Sequence, residues 1–576
     1  MFLQKCKLAL TRAKTSLRQN FRFATLDFLF IVAYIGLFSR LFGPENSSVG
    51  MIFTILMGAS MLRDMTATPL RHLMLQSAVL VLMAAAACAV TALGPWLALP
   101  VNLVALVLIL YAFTYEYMDH LYFPYILSYL FLIFLAPVPP SGLPKRMLAM
   151  LAGAVSIVLY QLVMGRRRVA RTARQCLGDI LQEADTCLEC LLAGAGTPDA
   201  PQKVRENLFA LSQTVYQRRH RVLGVTDAGF AMVDAGRDLE QLILQLYALQ
   251  GPIGDDRRAV LRQIQAQLRL FDRYLQRQVN TLPPLADPPA AAPQLRALWQ
   301  TAAAVQADLV RMADPAHRRC RRTALGLRVQ LKAALGASQV RVVYALRVGL
   351  LLALCTLAVQ LLGLPHGKWL VFTVASVSLP YADDIPRKAR QRLLATLAGG
   401  AVGALLFSLL PSAGARTAVM MLSGYLTFYF GSYVGTFGCS TVGALGGAVI
   451  AGVTDPWAVG GMLAVRLAYV LLGIAISLLC CRVLWPYDRE RATRQLGEKY
   501  AYTAELLQRM CQSGSSDSQL YYTLVLKAYL MEEKLLQNAG AAGWADLDPK
   551  LEVSRQKVRA ARLPRQLAVC MQPQAV

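Results

Sequence analysis

The chain has 576 residues, 56% of them hydrophobic and only 16% charged, with a formal net charge of +25. Soluble domains usually carry about a quarter charged residues, so this balance, with a mean hydropathy of +0.43, excludes an ordinary soluble globular chain and points to a membrane protein. In such a protein the positive excess is expected to gather on the cytoplasmic side.

Residues 1–22 are basic and lack the apolar core and small-residue cleavage site of a signal peptide. Leu3, Cys6, Leu10 and Ala13 recur at helical spacing, so this stretch reads as an amphipathic cytoplasmic segment. Six apolar segments follow and fill a first membrane half, residues 23–164: roughly 26–42, 48–62, 73–93, 97–113, 121–136 and 147–164. The second is short, which can mark a broken or re-entrant helix at a transport site. Lys5, Lys7 and Arg12 precede the first pass, Arg63 and Arg71 follow the second, and Arg166, Arg167 and Arg168 follow the sixth. The opposite loops, Gly94-Pro95-Trp96 and Pro137 to Pro144, are nearly uncharged, which places the N-terminus inside.

Residues 165–340 read as a cytoplasmic helical domain. Leu261, Ile264, Leu268, Phe271 and Leu275 alternate spacings of three and four, giving one apolar stripe, and two neighbouring stretches repeat the pattern. Six more apolar segments make a second membrane half, residues 341–486: roughly 343–362, 369–379, 393–410, 418–434, 436–453 and 461–485. Trp96, Trp369, Trp457 and Trp485 fall near pass ends, as interfacial anchors do. Residues 487–576 are polar and helical, again cytoplasmic, with Leu496, Tyr500, Leu507 and Met510 on one stripe. The fold class is therefore all-α: a polytopic membrane protein of about twelve transmembrane helices, arranged as two parallel six-helix repeats with a cytoplasmic helical bundle. An even number of passes returns each half to the same side, so the repeats should be related by an axis along the membrane normal.

Short matches support the duplication. Phe53-Thr54 answers Phe372-Thr373, Asp64 answers Asp383, and Arg71 answers Arg390, all at one offset. The second copy holds the densest charge: Asp383, Asp384, Arg387, Lys388, Arg390 and Arg392. Asp383 with Arg387, and Asp384 with Lys388, are spaced to pair on a helix. Two readings stand for this loop: a cationic vestibule that concentrates organic anions, with aspartate gates or proton sites, or a topology signal on a solvated loop. Arg347 and Arg466 lie in the first turns of apolar helices, where each needs a carboxylate, a wet cavity or an anion, or else snorkels to the interface. Glycines such as Gly399, Gly400 and Gly403 read as close helix packing. No Ser-His-Asp, HExxH or phosphate-loop pattern is present, so the chain reads as a non-enzyme without cofactor. Cys187 and Cys190 form a lone CxxC, read as one helix face rather than a zinc site completed by His317 and Cys320. No nucleic-acid module stands out, and the basic soluble helices suit anionic lipid headgroups.

The tract Leu346-Arg347, Trp369 to Val374, Arg390 to Gly400 and Arg466 to Pro486 resembles the fusaric-acid-resistance-like superfamily. That superfamily includes the bacterial aromatic acid exporters and, more distantly, the plant aluminium-activated malate transporters. The resemblance implies a multi-pass protein of the bacterial cytoplasmic membrane, both termini inside, that exports small aromatic or carboxylate anions, with protons as a candidate co-partner. The candidate pathway residues are Asp64, Arg71, Arg347, Thr373, Asp383, Asp384, Arg387, Arg390, Arg392 and Arg466. The competing reading is a membrane-anchored helical scaffold without transport. Whether the duplicated chain works as a pseudo-dimer or as a homodimer stays open.

Overall fold

The computed structural model describes all residues except 1, 62–65, 118–119, 166–167, 195–200, 219–223, 250–253, 284–292, 319–337, 411, 451–455, 514–516, 543–546 and 571–576. The described residues form helices and their connections, without a strand. In chain order the helices are α1 (Phe2–Phe42), α2 (Ser47–Ser60), α3 (Pro69–Ala92), α4 (Pro95–Phe113), α5 (Tyr122–Phe134), α6 (Leu143–Gly165), α7 (Arg168–Leu192), α8 (Pro201–Gln217), α9 (Asp227–Tyr247), α10 (Asp255–Leu275) and α11 (Pro293–Ala313). They continue with α12 (Gln339–Leu361), α13 (Lys368–Val377), α14 (Ile385–Leu409), α15 (Ala413–Leu426), α16 (Tyr433–Ile450), α17 (Pro456–Leu478), α18 (Arg489–Gln512), α19 (Ser518–Ala542) and α20 (Leu547–Cys570). The chain divides into two compact units. One comprises Met1–Ser60, Leu73–Ile157 and Ala337–Arg489; the other comprises Met61–His72, Val158–Gly336 and Glu490–Val576.

Each of the twelve expected passes contains a helix among the described residues, but the helix lengths differ. Seven stretches among the described residues are long and apolar enough to cross a bilayer: Phe21–Phe42, Pro69–Ala92, Pro95–Phe113, Pro140–Gly165, Gln339–Leu361, Ala382–Leu409 and Ala458–Leu484. The other five, α2, α5, α13, α15 and α16, have 14, 13, 10, 14 and 18 residues. At about 1.5 Å per residue, the ten residues of α13 reach about half of a 30 Å hydrocarbon core. The short second element recurs in both halves, as α2 and α13. Proline opens α3, α4 and α17 at the position where a missing N–H costs nothing. Gly363 ends the α12 turn at φ 54°, a left-handed conformation suited to glycine.

The two halves pack on each other within the first unit. Arg341 donates to the Tyr111 carbonyl at 2.5 and 3.1 Å, Gln360 donates to the Val90 carbonyl at 3.3 Å, and Phe131 meets Phe372 edge-on at 5.3 Å. Thr25 and Tyr425 share a hydroxyl hydrogen bond of 2.9 Å. Buried polar groups of the first half pair among themselves: Gln76 with Tyr125 at 2.7 Å, and Tyr129 donating to Asn102 at 3.1 Å.

The second unit is a helical bundle with apolar stripes inside. Leu261, Ile264, Leu268, Phe271 and Leu275 are all buried, as are Leu496, Tyr500, Leu507 and Met510. Segments far apart in sequence share this core. Gln519 accepts from the Val225 N–H at 2.9 Å, and Phe230 stacks on Tyr522 at 4.1 Å. A cavity of about 100 Å³ is lined by Arg237, Glu240, Tyr529, Glu532, Glu533 and Arg555, with Arg555 paired to Glu532 at 2.6 Å. Cys187 is packed against Tyr247 with a sulfur–oxygen distance of 3.6 Å, and Cys190 is half-buried; Cys320 lies outside the described residues.

Candidate functional site

Four helices of the second half converge on a buried cationic cluster, and glycine sets their approach. A methyl group at Gly399 of α14 would stand 2.2 Å from the Gly438 carbonyl of α16, so the backbones touch there. Arg392 lies two turns before Gly399 on the same face of α14. A methyl at Gly473 of α17 would meet Thr373 of α13 at 3.0 Å. Arg466 lies two turns before Gly473, and Trp369 one turn before Thr373. Small residues thus draw both arginines inward, where their own polarity would not take them.

Arg466 is 4% exposed and Arg392 6%. The Arg466 guanidinium carbon stands 5.0 Å from the Trp369 ring centre, and that of Arg392 stands 5.0 Å from Phe437. Lys388 lies 3.5 Å from the Tyr433 ring, and Tyr433 stacks on Phe437 at 4.1 Å. The two guanidinium groups are close enough to repel each other, and no described carboxylate counts among their electrostatic neighbours. Nε and Nη1 of Arg466, and Nε of Arg392, are buried without an acceptor. The Tyr433 hydroxyl sits beside Arg392 and Ser376 yet has no partner in hydrogen-bonding geometry. Uncompensated positive charge and idle donors in an aromatic-walled, water-poor place are what an anion would complete.

The remaining pathway candidates divide. Arg347 is 1% exposed and neither snorkels nor faces a carboxylate: its guanidinium donates to backbone carbonyls of Leu379, Pro380, Cys481 and Trp485. Thr373 is buried and spends its hydroxyl proton on the Trp369 carbonyl at 2.7 Å. Asp383 and Asp384 do not pair with Arg387 and Lys388 in the way the spacing suggests. Asp384 holds Arg489 with two bonds of 2.8 Å, and Asp383 accepts the Arg489 N–H at 2.8 Å, because the helix begins only at Ile385 and leaves both carboxylates facing the exit of the last membrane helix. Arg387 and Arg390 are exposed on the first turns of α14. Arg71 is exposed and belongs to the second unit, and Asp64 lies outside the described residues. Trp369 is buried at 4% and lines the site instead of anchoring at the interface, while Trp96 is 69% exposed as an anchor should be.

Sequence reasoning missed Tyr433 and Phe437, whose four-residue spacing on glycine-rich α16 was the available signal. It also missed Arg146, which lies in the sixth helix of its half as Arg466 does in the other. Arg146 is 1% exposed, but donates to the Ala136 carbonyl at 3.0 Å and the Glu45 carbonyl at 3.2 Å. Arg146 thus pairs both terminal nitrogens and leaves only Nε without an acceptor, whereas Arg466 leaves Nε and Nη1.

Residues 353–480 match the family model of fusaric acid resistance protein-like sequences. Most of the second membrane half is thus similar to fusaric acid resistance-like sequences. Trp369, Arg392, Tyr433, Phe437 and Arg466 all fall inside the matched stretch, and Arg347 lies six residues before it. An uncharacterized protein of Haemophilus influenzae is 28% identical over 143 residues, covering 25% of this chain and 20% of that protein. The chain thus aligns with about a fifth of that relative's length. No solved structure matches the chain. With seven described helices long and apolar enough to cross a bilayer, and a stretch similar to fusaric acid resistance-like sequences, the chain is a multi-pass membrane protein.

Proposed function

We propose that the protein exports small organic anions, aromatic carboxylates above all, across a bacterial cytoplasmic membrane, and that Arg392 and Arg466 bind the carboxylate while Trp369, Tyr433 and Phe437 flank the ring. The observation that carries this reading is Arg466: a guanidinium 4% exposed, set among membrane helices, with two nitrogens lacking acceptors. A scaffold that only anchors has no use for an unpaired buried charge, which costs several kcal/mol unless a ligand relieves it (about 3–5 when a buried pair is broken). Guanidinium suits carboxylate through two parallel hydrogen bonds, and the flat rings suit an aromatic partner. Exposed Arg387 and Arg390 extend the proposal as a cationic inner mouth that attracts the anion before it enters. Both termini are then cytoplasmic, following the basic segments. The test is binding of benzoate to the purified protein, with benzamide as the uncharged isostere. Saturable binding of benzoate but not benzamide, lost in Arg466→Gln, supports the site. Equal binding of both compounds, or none of either, removes it.

A further inference from the structure

A second buried arginine does something the anion site does not require. Helix α13 stops at Val377, where the Ser378 N–H closes the last turn on the Val374 carbonyl at 3.0 Å, and Leu379 to Tyr381 run on without regular helix before a 3-10 turn, Ala382–Asp384, leads into α14. Helix α17 ends in a π-helical turn, Leu479–Leu484. Such a turn frees carbonyls that an α-helix would use internally. These two negative helix ends meet at Arg347 on α12. Its Nη2 donates to the Leu379 carbonyl at 2.8 Å and the Pro380 carbonyl at 3.0 Å. Its Nη1 donates to the Trp485 carbonyl at 3.1 Å and the Cys481 carbonyl at 3.4 Å. One turn earlier on α12, Tyr344 donates to the Ser378 carbonyl at 3.0 Å. The Ser378 and Ser477 hydroxyls stand 3.3 Å apart across the same junction.

Unwound carbonyls and the C-terminal ends of broken helices inside a membrane are the usual surroundings of a transported or coupling metal cation. Here the cage is filled by the chain itself. We infer that Arg347 is a resident, tethered cation: its guanidinium takes the place of a sodium or potassium ion and ties the broken second element of the half to the end of the sixth. Two features separate this from a plain surface pairing. The guanidinium is 1% exposed, so its compensation comes from oriented backbone dipoles and not from water. Its four acceptors come from two helix ends more than a hundred residues apart in sequence, so one side chain fixes their relative position. Because α13 carries Trp369 and α17 carries Arg466, Arg347 acts on the anion site as a positioning residue, through these two helices.

The inference stands without the anion site, and its test reads stability. Arg347→Ala should leave four carbonyls without their donor and lower the melting temperature of the detergent-solubilised protein. Millimolar guanidinium should restore at least half of that loss, while leaving the wild-type protein unchanged. Arg347→Lys should fall between, since one ammonium cannot span both helix ends, and should respond weakly to guanidinium. Wild-type melting should be the same in sodium, potassium and choline chloride. Should Arg347→Ala prove too unstable to purify, guanidinium added during expression and extraction should recover folded protein. The inference is overturned if Arg347→Ala melts like the wild type, if guanidinium rescues it no better than equal sodium chloride, or if wild-type melting depends on sodium.

Discussion

Replacing Arg466 by methionine should make the protein more stable and less able to bind. Methionine fills a similar volume without charge. The unliganded protein holds a guanidinium with two acceptorless nitrogens, each costing about 1–3 kcal/mol when buried. Against this stands the contact with Trp369 at 5.0 Å, for which about 0.5–2 kcal/mol is reasonable. The balance favours Arg466→Met by up to about 5 kcal/mol, with a midpoint of about 3, which a melting curve in detergent resolves. Binding moves the other way. Loss of a charge-assisted pair to a carboxylate costs about 3 kcal/mol, or roughly a hundredfold in affinity for benzoate. The same substitution at Arg146 should have the opposite sign on stability. Arg146 donates to the Ala136 and Glu45 carbonyls, and its removal strands both, so Arg146→Met should lower the melting temperature. A lower melting temperature for Arg466→Met would show that the guanidinium is a structural strut and refute the reasoning, as would unchanged benzoate affinity.

Leu268, 1% exposed in the second unit, should not tolerate a carboxylate: Leu268→Asp is expected to cost about 3–5 kcal/mol and to remove folded protein, and normal abundance with normal melting would contradict this. Glu533 has its carboxyl pushed up by burial, against the pull of Arg237 and the Gln537 hydrogen bond. A raised folded value means that the group favours folding below its unfolded titration and that this contribution is lost as pH rises past the folded one, so Glu533→Gln should raise melting at neutral pH and lose that advantage in acid. A gain that persists unchanged at low pH would remove burial as the cause. Arg390→Gln and Arg71→Gln should each slow anion entry measured as flux per folded molecule, more so at low salt, and unchanged normalised flux in both would leave these residues as topology signals. For the proposed topology, a membrane-impermeant thiol reagent added outside intact cells should label cysteines placed at exposed Ser141 and Ser412 and miss one at exposed Thr186; labelling of Thr186→Cys would reverse the orientation.

Hydropathy alone determined that the chain is an all-helical membrane protein with apolar segments at twelve of the observed helices, because burying a backbone in lipid leaves the helix as the favoured solution and writes it as long apolar runs. Stripe periodicity likewise found the buried face of α10 and of α18, since a side chain every three or four residues must meet the core whatever the partner. Sequence also marked Arg347 and Arg466 as charges in an apolar setting and counted Arg392 in the charged loop. It had no means of separating their roles. Both terminal nitrogens of Arg347 are satisfied by carbonyls released where α13 stops and where α17 slips into a π-turn, and both events depend on packing and not on local propensity. Arg466 stays open because no acceptor lies within reach of its Nε and Nη1, whereas Arg146, its counterpart in the other half, finds the ends of two neighbouring loops. The Asp384 bond to Arg489 bridges over a hundred positions and outcompeted the local spacing to Lys388, which only a folded chain can arbitrate. Charge in a membrane is legible as a demand for a partner; which partner answers is set by the tertiary approach of helices that glycine permits, at Gly399 against Gly438 and at Gly473 against Thr373.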